Sequence, residues 1–234
     1  MITLKLLSIK MSKNYNLEYY PEEKILNPPQ HAKDEIDLIL GLIKKDKKNK
    51  MVDFGSGGGR LTVPLLQNGY VTQAIDIDKR SREQLLKTAI KIGKNKNLQI
   101  RKTFPENGKY NYILGTDTLH HIDISRYFKL FYNQLKKGGK IVFSEPNILN
   151  ISWPIFISLF LDWKIEKGIA QINYFNLFDK LKKAGFKDIK IIGLFLFPPM
   201  LFNKVAFLRK INLFLSNLPI LKLFAFRYII VANK

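Results

Sequence analysis

The stretch MVDFGSGGGR, Met51–Arg60, decides the fold, together with AIDID at Ala74–Asp78. Met51–Phe54 is a short, mostly apolar run that carries a carboxylate, and it is typical of a buried strand. Glycines follow it, and the apolar run that begins at Leu61 predicts a helix. Strand, glycine turn and helix N-terminus together are typical of a nucleotide-binding loop. Glycines let the backbone approach a ligand, and the N–H groups of the first helical turn point into the site.

An acidic residue stands where a nucleotide-binding fold places its ribose ligand. The apolar run Tyr70–Ile75 predicts a second strand, and Asp76 follows it directly. Asp76 comes about 20 residues after Gly55, which is the spacing expected of a carboxylate that accepts hydrogen bonds from ribose hydroxyls. The glycine loop and this acid together predict a ligand that contains a ribose.

The spacing of the glycines distinguishes between cofactors. A dinucleotide loop has the form G-x-G-x-x-G, and from Gly55 its third glycine would fall on Arg60. A phosphate loop needs Gly-Lys-Ser or Gly-Lys-Thr, which does not follow here. The glycines at positions 55, 57 and 59 fit G-x-G-x-G instead. VDFGSGGGR followed by AIDID resembles motif I and the strand-2 acid of class I S-adenosylmethionine-dependent methyltransferases, and a glycine-rich turn in an unrelated α/β domain is the alternative.

The resemblance implies S-adenosyl-L-methionine as the cofactor and gives each part of the loop a role. Asp76 would accept hydrogen bonds from both ribose hydroxyls, and Ile77 would lie against the adenine face. Asp53 would anchor the loop or the amino group of the methionine part, and Thr116 would line the donor channel. The backbone N–H groups expected near the methionine part belong to Gly55, Ser56, Gly57 and Gly59. We expect no adenine contact from the end of the third strand, where Lys102–Phe104 replaces the acid that many relatives carry.

Strands that alternate with helices predict parallel βαβ units in a doubly wound α/β fold. The resemblance implies a mostly parallel seven-stranded sheet, the Rossmann-like methyltransferase fold, in one methyltransferase domain over residues 1–234. The expected parts are an N-terminal helical arm at 1–45, a cofactor-binding core at 46–147, and a substrate-side segment at 148–234 with an apolar C-terminal insertion at 198–222.

Three further expectations concern individual segments. The lead-in at 1–30 is expected to be poorly regular, and whether it folds over the cofactor is left open. A helix over Ile124–Lys136 is expected to stop at the glycines after Lys137, before a strand at Lys140–Phe143. The last two strands are expected at Lys187–Phe197 and Phe224–Val231, and the resemblance implies that they are antiparallel or edge additions.

A polar cluster, Asp117, His120 and His121, lies just beyond the fourth predicted strand, where a doubly wound sheet places its ligands. His121 is the candidate catalytic residue, because histidine titrates near neutrality and can act as a general base. A divalent metal held by the cluster is a second interpretation. A third is that a histidine only braces the loop, as the resemblance implies for many relatives. We assign no metal ligand.

The net charge of +20 raises the question of an anionic partner. Lys outnumbers Arg by 32 to 7 and is spread along the chain, which favours a general composition bias, since base-reading sites depend on Arg. An anionic membrane surface and nucleic acid remain the alternatives. The absence of cysteine excludes disulfides and thiol nucleophiles and fits a reducing compartment. We therefore expect a cytoplasmic protein, with peripheral contact to a membrane left open and the oligomeric state unknown.

Two apolar segments, Ile151–Trp163 and Pro198–Lys222, are expected to flank the acceptor side. They indicate either a lid over a hydrophobic acceptor or an ordinary pair of core helices with solvated lysines. No N/D-P-P-Y stretch follows the fourth strand. That stretch marks the relatives that methylate the amino groups of bases and of glutamine, so the resemblance disfavours these acceptors. We therefore expect methyl transfer to oxygen or carbon of a small or lipid-like hydrophobic acceptor. The alternatives are an RNA methyltransferase that uses the basic surface and a protein that binds the cofactor without catalysis.

Overall fold

The computed structural model describes residues 20–44, 46, 48–105 and 108–234. They form a seven-stranded sheet in the order β3-β2-β1-β4-β5-β7-β6. The strands are β1 (Met51–Phe54), β2 (Thr72–Ile75), β3 (Leu98–Arg101), β4 (Tyr110–Thr116), β5 (Leu135–Pro146), β6 (Lys187–Leu194) and β7 (Arg227–Asn233). The helices are α1 (Glu22–Leu26), α2 (Gln30–Gly41), α3 (Thr62–Gln67), α4 (Lys79–Lys91), α5 (Ile124–Gln134), α6 (Ser152–Phe160), α7 (Trp163–Glu166), α8 (Tyr174–Lys183) and α9 (Ala206–Leu215).

The parallel part of the sheet brings the predicted cofactor residues to one edge. In β1, Asp53 pairs with Ala74 of β2 and with Leu114 of β4. The carboxyl ends of three parallel strands therefore lie side by side, which is where ligands of doubly wound sheets bind. β7 is antiparallel to both β5 and β6, so the expectation of antiparallel additions at the C-terminal end is confirmed.

Apolar side chains cover both faces of the sheet. One core contains the aromatic rings of α5 and β5, such as Phe128, Phe131 and Phe143, which are fully buried. The other contains Leu65 of α3 and Ile229 of β7 together with α2. In the described part of the chain, no helix is both long enough and apolar enough to cross a membrane.

The boundary between α5 and β5 differs from the prediction. The helix ends at Gln134 instead of Lys136, and the strand already begins at Leu135. The glycines that were expected to stop the helix belong to the strand, where Gly138 has a φ of +73°. Lys234 donates its backbone N–H to the carbonyl of Gly139 at 2.8 Å, so this segment finds its hydrogen-bond partner in residues far along the chain.

The N-terminal arm is more regular than expected where it is described. Helix α1 occupies Glu22–Leu26 within the lead-in that was expected to be irregular, and most of that lead-in lies outside the described residues. Helix α2 begins directly after Pro29 and ends at Gly41. Lys91 and Glu22 form an ion pair at 2.5 Å that ties the arm to α4.

Candidate cofactor and acceptor site

The glycines of the loop after β1 are required by space and by backbone conformation. Gly55 has a φ of +72°, and a Cβ there would lie 2.2 Å from Oγ1 of Thr118. Gly59 has a φ of +108°, and a Cβ there would lie 2.7 Å from Leu85. Gly57 also has a positive φ, +51°, but a Cβ there would meet nothing within 4 Å. The backbone at Gly57 therefore borders open space, as a ligand-binding turn must.

Asp76 lies against the same turn. Its Oδ2 accepts the N–H of Gly57 at 2.8 Å, and its Oδ1 accepts the N–H of Asp78 at 2.8 Å. Burial raises the pKa of Asp76, although these two hydrogen bonds oppose the shift. Each carboxylate oxygen has a second lone pair, so both can still accept a hydroxyl hydrogen bond. The neighbouring Ile77 is 80% exposed and is free to lie against a ligand ring.

Two buried polar atoms of the loop have no hydrogen-bond partner among the described residues. They are Oδ1 of Asp53 and Oγ of Ser56. The other Asp53 oxygen accepts a hydrogen bond from Thr62 at 2.6 Å, and burial raises the pKa of Asp53 to about 7. Buried polar groups are normally paired, so these atoms indicate a missing partner. The ammonium group of S-adenosylmethionine carries donors that suit them, so the residues fit this cofactor.

Thr116 is the last residue of β4 and is largely buried. Its carbonyl accepts a hydrogen bond from the hydroxyl of Thr118 at 3.0 Å, and the same hydroxyl lies 3.5 Å from the carbonyl of Gly55. Thr116 thus lies beside the glycine loop, next to the predicted donor channel.

Four charged side chains from distant parts of the chain form a cluster beyond β4, which we call the ion quartet: Glu35, Arg60, Asp117 and Arg227. Arg60 binds both Glu35 and Asp117. Arg227 donates to Asp117 at 2.6 Å, and its Nε lies 3.3 Å from Glu35. Burial alone would raise the pKa of Asp117, but Arg227 and Arg60 hold it well below its usual range. Arg60, which directly follows the glycine loop, is therefore held by ion pairs to two carboxylates.

His120 is a second buried charge centre. Its Nδ1 lies 2.6 Å from Glu145, and its Nε2 lies 3.3 Å from Glu166. Burial disfavours the imidazolium, but Glu145 and Glu166 outweigh it and raise the pKa of His120 to about 10. The second oxygen of Glu145 accepts the backbone N–H groups of Thr118 and Leu119, each at 2.7 Å. His120 is thus a charged brace for the loop after β4.

His121 has the opposite protonation state to His120. Burial, and then repulsion from the neighbouring His120, lower its pKa, so its imidazole is neutral near pH 7 and can accept a proton. The two rings lie 4.0 Å apart. Its side chain is exposed to the adjoining cavity.

The side chains that could hold a metal differ from the predicted cluster. Of the predicted cluster, Asp117 is held by the ion quartet, whereas Glu166 offers an oxygen that lies within 4.8 Å of the ring nitrogens of His120 and His121. A cation there would have to replace the proton that Glu145 and Glu166 stabilise on His120. Glu145, on Nδ1 of His120, would orient that ring in either role, as a brace or as a metal ligand.

A cavity of about 190 Å³ lies over these side chains. Its floor contains the ion quartet with His120, His121 and Glu166. Its walls are apolar and include both segments that were expected to flank the acceptor. The wall residues are Trp153, Phe156, Leu161, Ile169, Phe195, Pro198, Pro199, Met200 and Phe226. Tyr20 and His31 close it from the N-terminal side.

Several residues of this floor were not predicted. Glu35 lies in the middle of an ordinary amphipathic helix, and Arg227 begins the last strand, so neither belongs to a motif. Glu145, which does not line the cavity itself but is the partner of His120, offered a signal, because a carboxylate within an apolar strand is rarely buried without a partner. Glu166 offered none.

Comparison with known proteins identifies the family. A model of the methyltransferase domain matches residues 27–191. No curated protein matches the chain. The possible histamine N-methyltransferase of Thermotoga maritima has a TM-score of 0.68 at 16% identity, over 97% of this chain and 99% of that one. An S-adenosylmethionine-dependent methyltransferase of Archaeoglobus fulgidus has a TM-score of 0.61 at 19% identity, over 92% and 99%.

A third similar structure has a bound ligand. Phosphoethanolamine N-methyltransferase 2 of Haemonchus contortus, in complex with phosphomonomethylethanolamine and S-adenosylhomocysteine, has a TM-score of 0.66 at 17% identity. The match covers 98% of this chain but 60% of that enzyme, so the chain spans little more than half of its length. At such identities the likeness shows the fold. The family model covers well over half of the chain, so the protein belongs to the methyltransferase-domain family.

Proposed function

We propose that the protein transfers a methyl group to oxygen or carbon of a small or lipid-like hydrophobic acceptor. The observation that supports this acceptor class is the cavity beside the glycine loop, which combines apolar walls with a charged floor. Its volume of about 190 Å³ is below the roughly 300–1,000 Å³ of clefts for drug-sized ligands. The acceptor is therefore small, or only the reacting end of a longer molecule enters.

The charges of the floor favour a neutral acceptor group. Arg60 and Arg227 are each bound to both Glu35 and Asp117, and His120 lies between Glu145 and Glu166. An anionic group entering the cavity would have to displace a buried carboxylate from its cation, which is costly. A hydroxyl or an activated carbon needs no such exchange.

The residues of this chain then have distinct tasks. S-adenosylmethionine supplies an electrophilic methyl group. Asp76 and the backbone around Gly57 hold the donor, and the apolar walls exclude water and orient the acceptor. His121, neutral near pH 7, accepts the acceptor proton, and burial together with the charged His120 beside it lowers its pKa and keeps that imidazole neutral beforehand.

The acceptor class is tested by labelling. The purified protein is incubated with methyl-labelled S-adenosylmethionine and an extract of the organism that encodes it, and the extract is then separated into lipid, RNA, protein and small polar fractions. We expect label in the lipid fraction or in apolar small molecules. An Asp76→Ala protein is the control, and the label must disappear with it.

Each other outcome rejects part of the proposal. Label in RNA would give the positive charge a catalytic role and would replace the hydrophobic acceptor. Label on polar amines would move the acceptor class toward those of the amine methyltransferases named above. A protein that binds S-adenosylhomocysteine but labels no fraction would favour cofactor binding without catalysis.

A further inference from the structure

Helix α9 buries a polar side chain and exposes aromatic ones. The side chain it buries is polar: Asn212 is 2% exposed, and its amide accepts the N–H groups of Leu196 and Phe197 at 2.8 Å each. Its aromatic residues point outward instead, with Phe207 70% exposed and Phe214 67% exposed. An amphipathic helix normally buries its apolar side. Leu213 packs against the core that contains Leu65 and Ile229, but the rings of Phe207 and Phe214 are left largely uncovered by the described residues.

The neighbouring segments share this feature. Apart from Val71, Ile77, Leu86 and Ile90, every exposed large apolar side chain of the described residues lies between 149 and 224. On α6, Ile155 and Leu159 are exposed, and beside α9 the turn at Pro199–Phe202 exposes Leu201. Soluble proteins rarely leave such a concentration uncovered unless it binds something.

The same segments contribute to the lining of the cavity. Trp153 and Phe156 of α6 line it, and so do Pro199 and Met200 of the turn. The exposed residues of α6 and of the turn are thus direct neighbours of the cavity wall. His31 and Asn203, whose side chains lie 3.0 Å apart, fasten the turn to α2.

The charge of the segment that follows Asp188 and contains α9 is one-sided. No Asp or Glu occurs after Asp188, whereas Lys204, Lys210 and Lys222 follow it in and around α9. Lys204 and Lys210 are exposed. Exposed aromatic and aliphatic side chains with lysines among them are the pattern of a helix that lies in the interface of an anionic bilayer.

We infer that α6, α9 and the turn between β6 and α9 form a membrane-docking surface for anionic lipid. The apolar side chains enter the boundary between headgroups and acyl chains, and the lysines contact the headgroups. Docking does not require methyl transfer. That a lipid-like acceptor then reaches the cavity from the bilayer rests on the proposed function.

The test is co-sedimentation with vesicles, in the absence of S-adenosylmethionine. We expect the protein to pellet with an equal mixture of phosphatidylglycerol and phosphatidylcholine, and not with phosphatidylcholine alone. Binding should fall as salt is raised toward about 1 M, where the Debye length is about 3 Å. The variant Phe207→Ser/Phe214→Ser should bind at least about tenfold more weakly, because it loses two exposed rings.

A matched variant tests whether the loss of any two exposed apolar side chains weakens vesicle binding. Leu86→Ser/Ile90→Ser removes two exposed apolar side chains from α4, outside the proposed surface, and should bind vesicles as the unchanged protein does. An equal loss of vesicle binding in both variants would overturn the inference. Binding of the unchanged protein to phosphatidylcholine vesicles as strong as to the anionic mixture would do the same. So would a stable dimer in light scattering that Phe207→Ser/Phe214→Ser dissociates, since a second copy would then cover the surface. Because binding is measured without turnover, its failure is distinct from failure of the proposed function.

Discussion

Arg227, the first residue of β7, donates to Oδ1 of Asp117 across 2.6 Å, although the two lie 110 positions apart in the chain. Asp117 has a φ of +54°, which is uncommon for a residue other than glycine. Its two oxygens meet Arg227 and Arg60, so the ion quartet holds this backbone turn at the end of β4. The contact joins the last strand to the floor of the cavity.

Replacing Arg227 by methionine should destabilise the protein strongly. The change leaves the buried Glu35 and the partly buried Asp117 with half of their counter-charge, and removing one partner of a buried ion pair costs about 3–5 kcal/mol. Denaturant unfolding followed by circular dichroism measures the loss. Lys183→Met is the control, because Lys183 and Asp179 form an exposed pair at 2.8 Å, worth about 0–1 kcal/mol. Equal losses in both variants would refute a special role for the quartet.

Gly57→Ala should abolish tight binding of S-adenosylhomocysteine, because its Cβ would occupy the open space next to Asp76. Gly93→Ala provides the comparison. Gly93 has a φ of +66°, and its Cβ also meets nothing within 4 Å, but it follows α4, away from the loop. Both variants should lose similar stability, about 1 kcal/mol, from backbone strain. Calorimetric titration should show weaker binding by tenfold or more for Gly57→Ala alone.

Binding of S-adenosylhomocysteine should depend on pH through Asp53. The pKa of Asp53 is about 7 in the protein, so near neutrality part of the population carries a proton that opposes contact with an ammonium group. Affinity should therefore rise between about pH 6 and 8. Titrations in buffers of different ionisation enthalpy should detect proton release on binding. Asp53→Asn should remove both the rise of affinity with pH and the proton release. If the affinity of Asp53→Asn still depended on pH, another group would be responsible.

His120 should make stability depend on pH in the alkaline range. Its pKa is raised from 6.5 to about 10 in the folded state, so its contribution is fully present below pH 6.5 and is lost as the pH rises toward 10. The free energy of unfolding should accordingly fall across this interval. His120→Gln should be less stable at pH 6 and should show a flatter profile. A profile that His120→Gln leaves unchanged would contradict the charged brace.

His121→Gln should reduce kcat about 10²–10⁴-fold once a methylated fraction has been identified, because the acceptor proton loses its base. The affinity for S-adenosylhomocysteine should not change, since His121 borders the cavity and not the glycine loop. The rise of kcat with pH that reflects a neutral imidazole should also disappear. If kcat stays native, the acceptor needs no base from this residue.

The part of the site that could be predicted is the part set by residues close together in the sequence. The loop from Asp53 to Gly59 and the acid at Asp76 could be found from the sequence, because short-range backbone geometry fixes which residues can stand there. The structure adds the reason for two of those glycines, namely the contacts of Gly55 with Thr118 and of Gly59 with Leu85. The roles of these residues toward the cofactor stay predictions.

The non-local part was not predictable. The sequence does not state which of its many cations neutralises Asp117, since that choice depends on how β7 enters the sheet. The error at the end of α5 has the same origin, because Gly138 and Gly139 suit either a helix stop or a bulged strand. Their pairing with Lys234 decides the matter, and it involves the far end of the described chain. The inverted face of α9 likewise depends on the contact of Asn212 with Leu196.

The antiparallel entry of β7 between β5 and β6 has a consequence for biosynthesis. The glycine loop, Asp76 and β4 have all left the ribosome long before Arg227 is made. A nascent or truncated chain that stops short of β7 therefore contains the complete donor loop, while Asp117 lacks one of its two arginines. We therefore expect the donor loop to be complete in an unfinished chain before the cavity floor, which needs Arg227, has its balance of charges.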